Sequence, residues 1–150
     1  MSDSVQSQVL DQVVSLLAAA GAAMTPQVTA ERTRLEAFEV ADLPAWNVLP
    51  EDGQPDPVKS YSGVTAHTFR FCVRCTVGAN NEADKAADPL YAVAVQTLLS
   101  DPTLGGLVNF TREGAQKWEK DGAAATDNVA LVVTFETDFY TLRADPTVAR

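Results

Sequence analysis

The sequence has little of what catalytic and metal sites are usually built from: its 150 residues include one histidine and two cysteines. Two cysteines cannot form a disulfide framework, and a metal site needs three or four ligands close together. Basic residues are also scarce, since 11 Lys and Arg stand against 20 Asp and Glu, a net charge of −9. Nucleic-acid-binding proteins neutralise phosphates with Lys and Arg. The composition therefore argues against sequence-specific DNA or RNA binding, and against binding to an anionic membrane surface.

Long apolar runs are lacking as well. The most apolar stretch, 16–24, is mostly Ala and Gly, whereas a membrane-spanning helix needs about 20 apolar residues. No basic segment followed by an apolar run opens the chain, so we expect no signal peptide and a soluble protein made in the cytoplasm. With 46% hydrophobic and 21% charged residues, the composition is that of an ordinary globular protein. We expect a single domain over 1–150, with an ordered core at about 4–146.

Apolar residues spaced three to four apart predict two helices. The first covers 4–20, with a polar opposite face. The second begins with Asp88 as its N-cap and Pro89 at the first helical position. It runs to Leu99 and ends before the pair Asp101-Pro102, because proline disfavours helical geometry in the residue before it.

Strict alternation of apolar and polar residues predicts two long strands, at 64–77 and 129–142. Weaker patterns predict short strands at 28–35 and 45–49, and an extended segment at 107–118. The side chains that we place on the core side of the two long strands are Phe69, Phe71, Val73, Cys75 and Val77 in the first, and Val129, Leu131, Val133, Phe135 and Phe139 in the second.

Polar and turn-forming residues predict the connections between these elements. Loops are expected at 78–87 and 120–128, and a turn at Gly105-Gly106. The segment 51–57 holds three acids, a glycine and two prolines, so we expect a mobile acidic loop there.

Helices and strands do not alternate regularly, which argues against a doubly wound parallel sheet. The expected fold class is α+β: a mainly antiparallel β-sheet with two α-helices packed on one face. The other face carries charges of opposite sign on the two long strands, Arg70 and Arg74 against Glu136 and Asp138. These charges can pair within one chain or between subunits.

The groups with reactive chemistry are dispersed. Cys72 and Cys75 lie three apart on a predicted strand and point to opposite faces, so we expect one buried and one surface cysteine. His67 is expected to pack at a strand edge rather than to act as a base. The sequence contains no G-x-S-x-G, H-E-x-x-H, G-x-x-x-x-G-K or G-x-G-x-x-G motif. We therefore predict no catalytic, cofactor-binding or metal-binding residues, and no enzyme activity.

Aromatic residues divide into core and interface candidates. Trp46 lies in an apolar strand and is expected in the core. Trp118 lies among Gln, Lys and Glu, where burial within one subunit is difficult, so an interface is favoured. The candidate residues for contact with another subunit or a partner are Arg70, Arg74, Phe110, Arg112, Trp118, Glu136, Asp138 and Tyr140.

Several segments follow one another in a distinctive order. They are Leu-Pro-Ala-Trp-Asn-Val at 43–48, Val-Gly-Ala at 77–79, Ala-Asp-Pro-Leu at 87–90, Leu-Leu-Ser-Asp-Pro-Thr-Leu-Gly-Gly-Leu at 98–107, and a final strand that ends in Tyr140. This order resembles the tail terminator proteins of long-tailed bacteriophages, the family of the lambda minor tail protein U. The resemblance covers roughly residues 5–146, and Asp-Pro-Thr-Leu-Gly-Gly-Leu after an amphipathic helix is its most specific part.

The resemblance implies an α+β fold and a structural role in the virion, at the head-proximal end of the tail. A homo-hexameric ring would cap the tail-tube protein, stop its polymerisation and form the joint to the head-tail connector or stopper protein, with no cofactor. DNA would pass through the channel only as cargo. Six chains would carry 6 × (−9) = −54, a charge that would let DNA slide rather than bind.

Three other functions remain open from the residues alone. One is another head-tail connector component, such as a head-completion or stopper protein. The others are a small soluble enzyme of unrecognised type and a monomeric adaptor domain. Binding to the tail tube would distinguish the first, and the mass in solution the last.

Overall fold

A computed structural model describes residues 3–79, 82–120 and 128–150. Within these ranges the chain forms two helices and six strands, joined by turns and one short 3-10 turn at Val40–Asp42. In chain order they are α1 (Val5–Ala22), β1 (Thr29–Arg32), β2 (Ala45–Tyr61), β3 (Val64–Gly78), α2 (Ala83–Ser100), β4 (Phe110–Lys120), β5 (Asn128–Leu142) and β6 (Asp145–Ala149).

The strands form one sheet in the order β1-β2-β3-β5-β4, and β6 pairs with the end of β5. The pair β1–β2 is parallel and the other pairs are antiparallel. The α+β prediction is therefore confirmed. The two long predicted strands are neighbours, and their register places Phe71 opposite Phe135 and Arg70 opposite Glu136.

Both helices pack on the same face of the sheet, as expected. The core joins apolar residues of α1 and α2 to the side chains predicted for the long strands, including Phe71, Val73, Val133 and Phe135. The rings of Phe71 and Phe135 stack with centroids 5.5 Å apart. Trp46 is also fully buried, as predicted, and its indole N–H donates to the Leu90 carbonyl at 3.2 Å.

Helix α1 begins where the sequence indicated. Ser4 is the N-cap, and its hydroxyl oxygen accepts a hydrogen bond from the Ser7 N–H at 3.2 Å. Gly21, which could have followed the helix, lies inside its last turn. There the backbone of Val28 approaches so closely that a Cβ on Gly21 would stand 2.0 Å from the Val28 carbonyl oxygen.

The expected loop at 51–57 is wrong: these residues lie within β2, which continues from the predicted strand at 45–49 to Tyr61. The segment pairs with β3 through Asp52↔Arg70 and the following residues. The pairing of β2 with β1 ends at Val48, and beyond this residue β2 is an edge strand. Prolines and charges are tolerated at a sheet edge because its outer N–H groups have no ladder partner, so the sequence pattern resembled a loop.

Helix α2 starts earlier than predicted. It begins at Ala83, after the N-cap Glu82, and Pro89 lies inside it. The expected loop at 78–87 is therefore partly helical. An added turn rich in alanine buries Ala87 completely, and alanine has the highest helix propensity, which offsets the hydrogen bond that proline cannot donate.

The opposite side of the sheet, here called the outer face, has a small apolar cluster of its own. Cys72 packs there with Ala130 and Val132, at 7% exposure. The expectation of one surface cysteine is therefore wrong, because Cys75 is buried on the helix side as well. The reason is local cover on the outer face, where the partly buried Leu49, which pairs with Cys72, packs against this cluster.

Three further segments differ in extent from the prediction or fall partly outside the described residues. The C-terminal residues, expected to be a tail after the core, form β6 at Asp145–Ala149. The predicted strand at 28–35 is shorter and covers Thr29–Arg32. Of the loop predicted at 120–128, residues 121–127 lie outside the described part of the chain.

Candidate functional site

The predicted charged residues of the long strands do lie together on the outer face, but with different partners. Arg112 on β4 donates to the Asp138 carboxylate at 2.7 Å and also binds Glu136. Of the two alternatives left open by the sequence, the pairing of Arg70 and Arg74 with these two acids within one chain is therefore not the arrangement in the described residues. Strand β5 lies between β3 and β4, so Glu136 is opposite Arg70 on one side and Arg112 on the other. The Arg112 guanidinium binds the carboxylates of both Glu136 and Asp138.

The two arginines of β3 bind acids of other strands. The Arg70 Nε donates to Asp52 Oδ1 at 2.7 Å, across the β2–β3 pair. The Arg74 Nη1 donates to Glu119 Oε2 at 2.6 Å, and Lys117 Nζ lies 2.8 Å from the other oxygen of that carboxylate. Ion pairs thus link four neighbouring strands across the outer face.

These contacts favour the ionised form of two of the acids, Asp138 and Glu119. The Arg112 guanidinium, through its hydrogen bond, holds the pKa of Asp138 below its usual value. Hydrogen bonds from Lys117 and then Arg74 lower the pKa of Glu119. Since partly exposed ion pairs usually contribute about 0–1 kcal/mol each, the network orients side chains on the outer face more than it stabilises the fold.

Of the three interface candidates with aromatic rings, Phe110 and Trp118 are exposed and Tyr140 is partly buried; contact with a partner stays a prediction. Phe110 lies opposite Asp138 on the outer face and is 50% exposed. Tyr140, on the same face, packs its ring 6.2 Å from that of Tyr61. Trp118 is 49% exposed, but it faces Leu131 and so lies on the helix side.

Trp118 forms one wall of a cleft between α2 and β4, here called the α2–β4 cleft. The cleft has a volume of about 650 Å³ and is also lined by Asp84, Asp88 and Tyr91. At its floor the Tyr91 hydroxyl donates to the Glu113 carboxylate, and this bond raises the pKa of Tyr91. The sequence did not indicate this cleft, because the first turn of α2 was expected to be a loop.

An apolar groove of about 410 Å³ lies at the end of the sheet where β2 begins. Its walls include Met24, Pro26, Pro44, Val77 and Leu90. None of the described residues that line the groove is ionisable, and Thr25 contributes the one side-chain hydroxyl among them.

The reactive groups considered in the sequence lie apart from one another. His67 stacks on Phe139, with centroids 5.0 Å apart, and its Nε2 lies 2.9 Å from the Thr141 hydroxyl. Burial lowers its pKa. Burial also raises the pKa of Cys72 to about 11 and that of Cys75 to about 12. No group of three or more His, Cys, Asp or Glu residues in the described ranges is placed to hold a metal ion.

The segment 101–107, which carries the most specific part of the resemblance, is a tight turn after α2. The Asp101 carboxylate accepts hydrogen bonds from the Thr103 N–H at 3.1 Å and the Gly105 N–H at 2.9 Å. Gly105 and Gly106 have positive φ angles, as the expected turn requires. Leu104 also has a positive φ and is completely buried in the core. This motif therefore anchors the end of α2 to the sheet.

The interface candidates do not form one continuous site. Arg70, Arg74, Arg112, Glu136 and Asp138 share the outer face with the rings of Phe110 and Tyr140, while Trp118 lies on the other side of β4. The bulge between Glu113 and Gln116 shifts the register of β4. A single extra residue changes which face each later side chain takes, and the weakly patterned sequence did not reveal it.

No protein-family model matches this sequence, and no curated protein is significantly similar to it. Within the described ranges, neither helix is both long and apolar enough to cross a membrane.

Proposed function

We propose that this chain is the subunit of a ring that terminates a bacteriophage tail tube. The observation that carries the proposal is the difference between the two edges of the sheet. The outer half of β2 carries three prolines and faces solvent, whereas β4 carries the exposed rings of Phe110 and Trp118. A closed ring is made by a head-to-tail contact between two different surfaces of the same chain, and this chain offers two such surfaces.

The sequence resemblance supplies the rest of the proposal. The ring would be a hexamer that caps the tube, stops its polymerisation and joins it to the head-side connector or stopper protein. It would reside in the virion, at the head-proximal end of the tail, and act without chemistry of its own. The turn at Asp101–Leu107 supports the resemblance in one respect: a motif that anchors a helix to a sheet belongs to a structural framework rather than to a reactive site.

The proposal is tested in two stages. Light scattering on the purified chain should give a mass near 96 kDa, six times 16.0 kDa, either in solution or after contact with tubes. Electron microscopy of a tube-forming protein from the same phage, polymerised with and without the chain, should show shorter tubes with the ring at one end. A chain that remains monomeric in both conditions, and leaves tube length unchanged, overturns the proposal.

The tube experiment also separates the runner-up function. A head-completion or stopper protein would form an oligomer without binding to tubes. Rings that do not bind tube ends but bind the head-side connector would therefore indicate a head-completion or stopper protein.

A further inference from the structure

The tip of the β2–β3 hairpin, residues 56–63, presents apolar side chains to solvent. Val58 is 91% exposed and Tyr61 is 60% exposed, with the exposed Lys59 between them. The Asp56 carboxylate accepts hydrogen bonds from the Val58 and Lys59 N–H groups at 3.0 and 3.3 Å. The Ser60 hydroxyl donates to the Asp56 carbonyl at 2.6 Å. The tip is therefore held in shape by its own hydrogen bonds while its apolar side chains remain uncovered.

The α2–β4 cleft has complementary properties. Its wall includes the half-exposed Trp118, and Asp84 and Asp88 line it. Neither of these aspartates forms an ion pair with a residue in the described ranges. Two lysines also border the cleft: Lys117, whose side chain lies on the outer face 2.8 Å from Glu119, and the exposed Lys85, which lies 3.9 Å from Glu82. The cleft thus offers the ring of Trp118 beside two aspartates that form no ion pair with a described residue, with Lys85 between them in the chain.

The hairpin tip and the cleft lie at opposite corners of the sheet. The tip is where β3 begins, at Val64, and is on the β2 side. The cleft is beside β4, near Leu131, which pairs with Cys75 at the other end of β3. Ten or more residues of strand separate the two levels, about 35 Å at roughly 3.4 Å per residue. The tip cannot reach the cleft of its own chain, so a contact between tip and cleft would join two copies.

We propose that the hairpin tip of one copy docks in the α2–β4 cleft of the next. Val58 and Tyr61 pack against Trp118, and Lys59 lies between Asp84 and Asp88. Because each copy has one tip and one cleft at opposite corners, the contact repeats head-to-tail, which closes into a ring when the rotation between copies fits. The inference rests on the proposed ring and names the contact that builds it; it does not depend on what the ring binds.

Charge reversal tests the contact directly. Variant A carries Lys59→Glu, and variant B carries Asp84→Lys together with Asp88→Lys; all three positions are exposed. Within A the tip and the cleft are both negative, and within B both are positive, so each variant alone should fall from the oligomer to the 16.0 kDa chain. An equal mixture should regain the oligomer, because each tip then meets a cleft of opposite charge in an alternating ring.

Leu35→Ser is the matched control, since Leu35 is also highly exposed, at 85%, but belongs to neither surface; it should assemble like the wild type. Thermal unfolding by circular dichroism shows that each variant is folded. The contact is overturned if A and B assemble alone, if their mixture stays monomeric, or if the wild type is monomeric at millimolar concentration. Wild-type oligomers that assemble as described but fail to shorten tail tubes would refute the proposed function and leave this contact standing.

Discussion

The substitution Gly21→Ala should change the stability of the protein through two effects of opposite sign. On helix propensity alone, alanine in place of glycine inside α1 would stabilise the protein by about 1 kcal/mol. The structure predicts the reverse, because the new Cβ would stand 2.0 Å from the Val28 carbonyl oxygen and 2.9 Å from the Trp46 ring. Both neighbours are fixed: Val28 donates its N–H to the Gly21 carbonyl at 3.1 Å, and Trp46 is completely buried. Overpacking of this kind costs about 1–3 kcal/mol, and more against backbone.

Because the contact is with backbone, the overpacking should cost at least about 3 kcal/mol, and subtraction of the propensity gain of about 1 kcal/mol leaves an expected destabilisation of about 2 kcal/mol or more for Gly21→Ala. Urea unfolding followed by circular dichroism measures the difference, and the melting temperature should fall by about 2–4 °C per kcal/mol for a chain of this size. Ala19→Gly, at an exposed position of the same helix, is the control and should lose only the propensity of about 1 kcal/mol. An equal or higher stability of Gly21→Ala would refute the close approach of Val28 to α1.

Three further predictions follow from the core, the thiols and the outer face. Phe71→Ala, which removes a fully buried ring stacked on another, should cost about 3–5 kcal/mol in urea unfolding; a loss under about 1 kcal/mol would contradict the assignment of faces. Cys72 and Cys75, with pKa values raised by burial to about 11 and 12, should react with a thiol reagent at pH 8 only after unfolding; rapid labelling of the folded chain would contradict their burial. Arg112 lowers the pKa of Asp138 in the folded state. The contribution of this ion pair to the free energy of unfolding is therefore full above pH about 4 and is lost as the pH falls towards the pKa of Asp138 in the folded state. The stability difference between the wild type and Arg112→Gln should therefore shrink at acid pH, and a constant difference from pH 7 to pH 3 would count against this ion pair.

The parts of the fold that sequence could predict are those where one face is apolar throughout. The residues 64–77 and 129–142 alternate strictly, and their register follows because a slip of one residue would expose every core side chain. Trp46 was assignable to the core for the same reason, since its neighbours are apolar. In these elements the local sequence alone shows which side chains are buried.

Other elements depend on neighbours that are distant in the chain. The outer half of β2 has no apolar alternation, and it becomes a strand because β3 supplies a long ladder for it, from Pro50↔Phe71 to Tyr61↔Val64. The first turn of α2 was missed because Asp88-Pro89 is a good helix start, yet burial of Ala87 extends the helix backwards. The partners of the charged residues could not be predicted either, because the sequence does not show that β4 lies beside β5. This neighbourhood places Arg112 next to Glu136 and Asp138.

The ion pairs of the outer face determine which acids contribute to the net negative charge of the protein. Four bases, Arg70, Arg74, Arg112 and Lys117, meet four acids, Asp52, Glu119, Glu136 and Asp138. These charges cancel, so none of the net charge of −9 comes from this network. A surface that repels DNA must therefore be formed by acids outside it. If the outer face lined the channel of the proposed ring, its arginines would be held by carboxylates already, and phosphates would have to displace those partners to bind. In the proposed ring, the outer face would thus not bind DNA strongly, while Asp84 and Asp88, which form no ion pair with a described residue, would serve the proposed contact between copies.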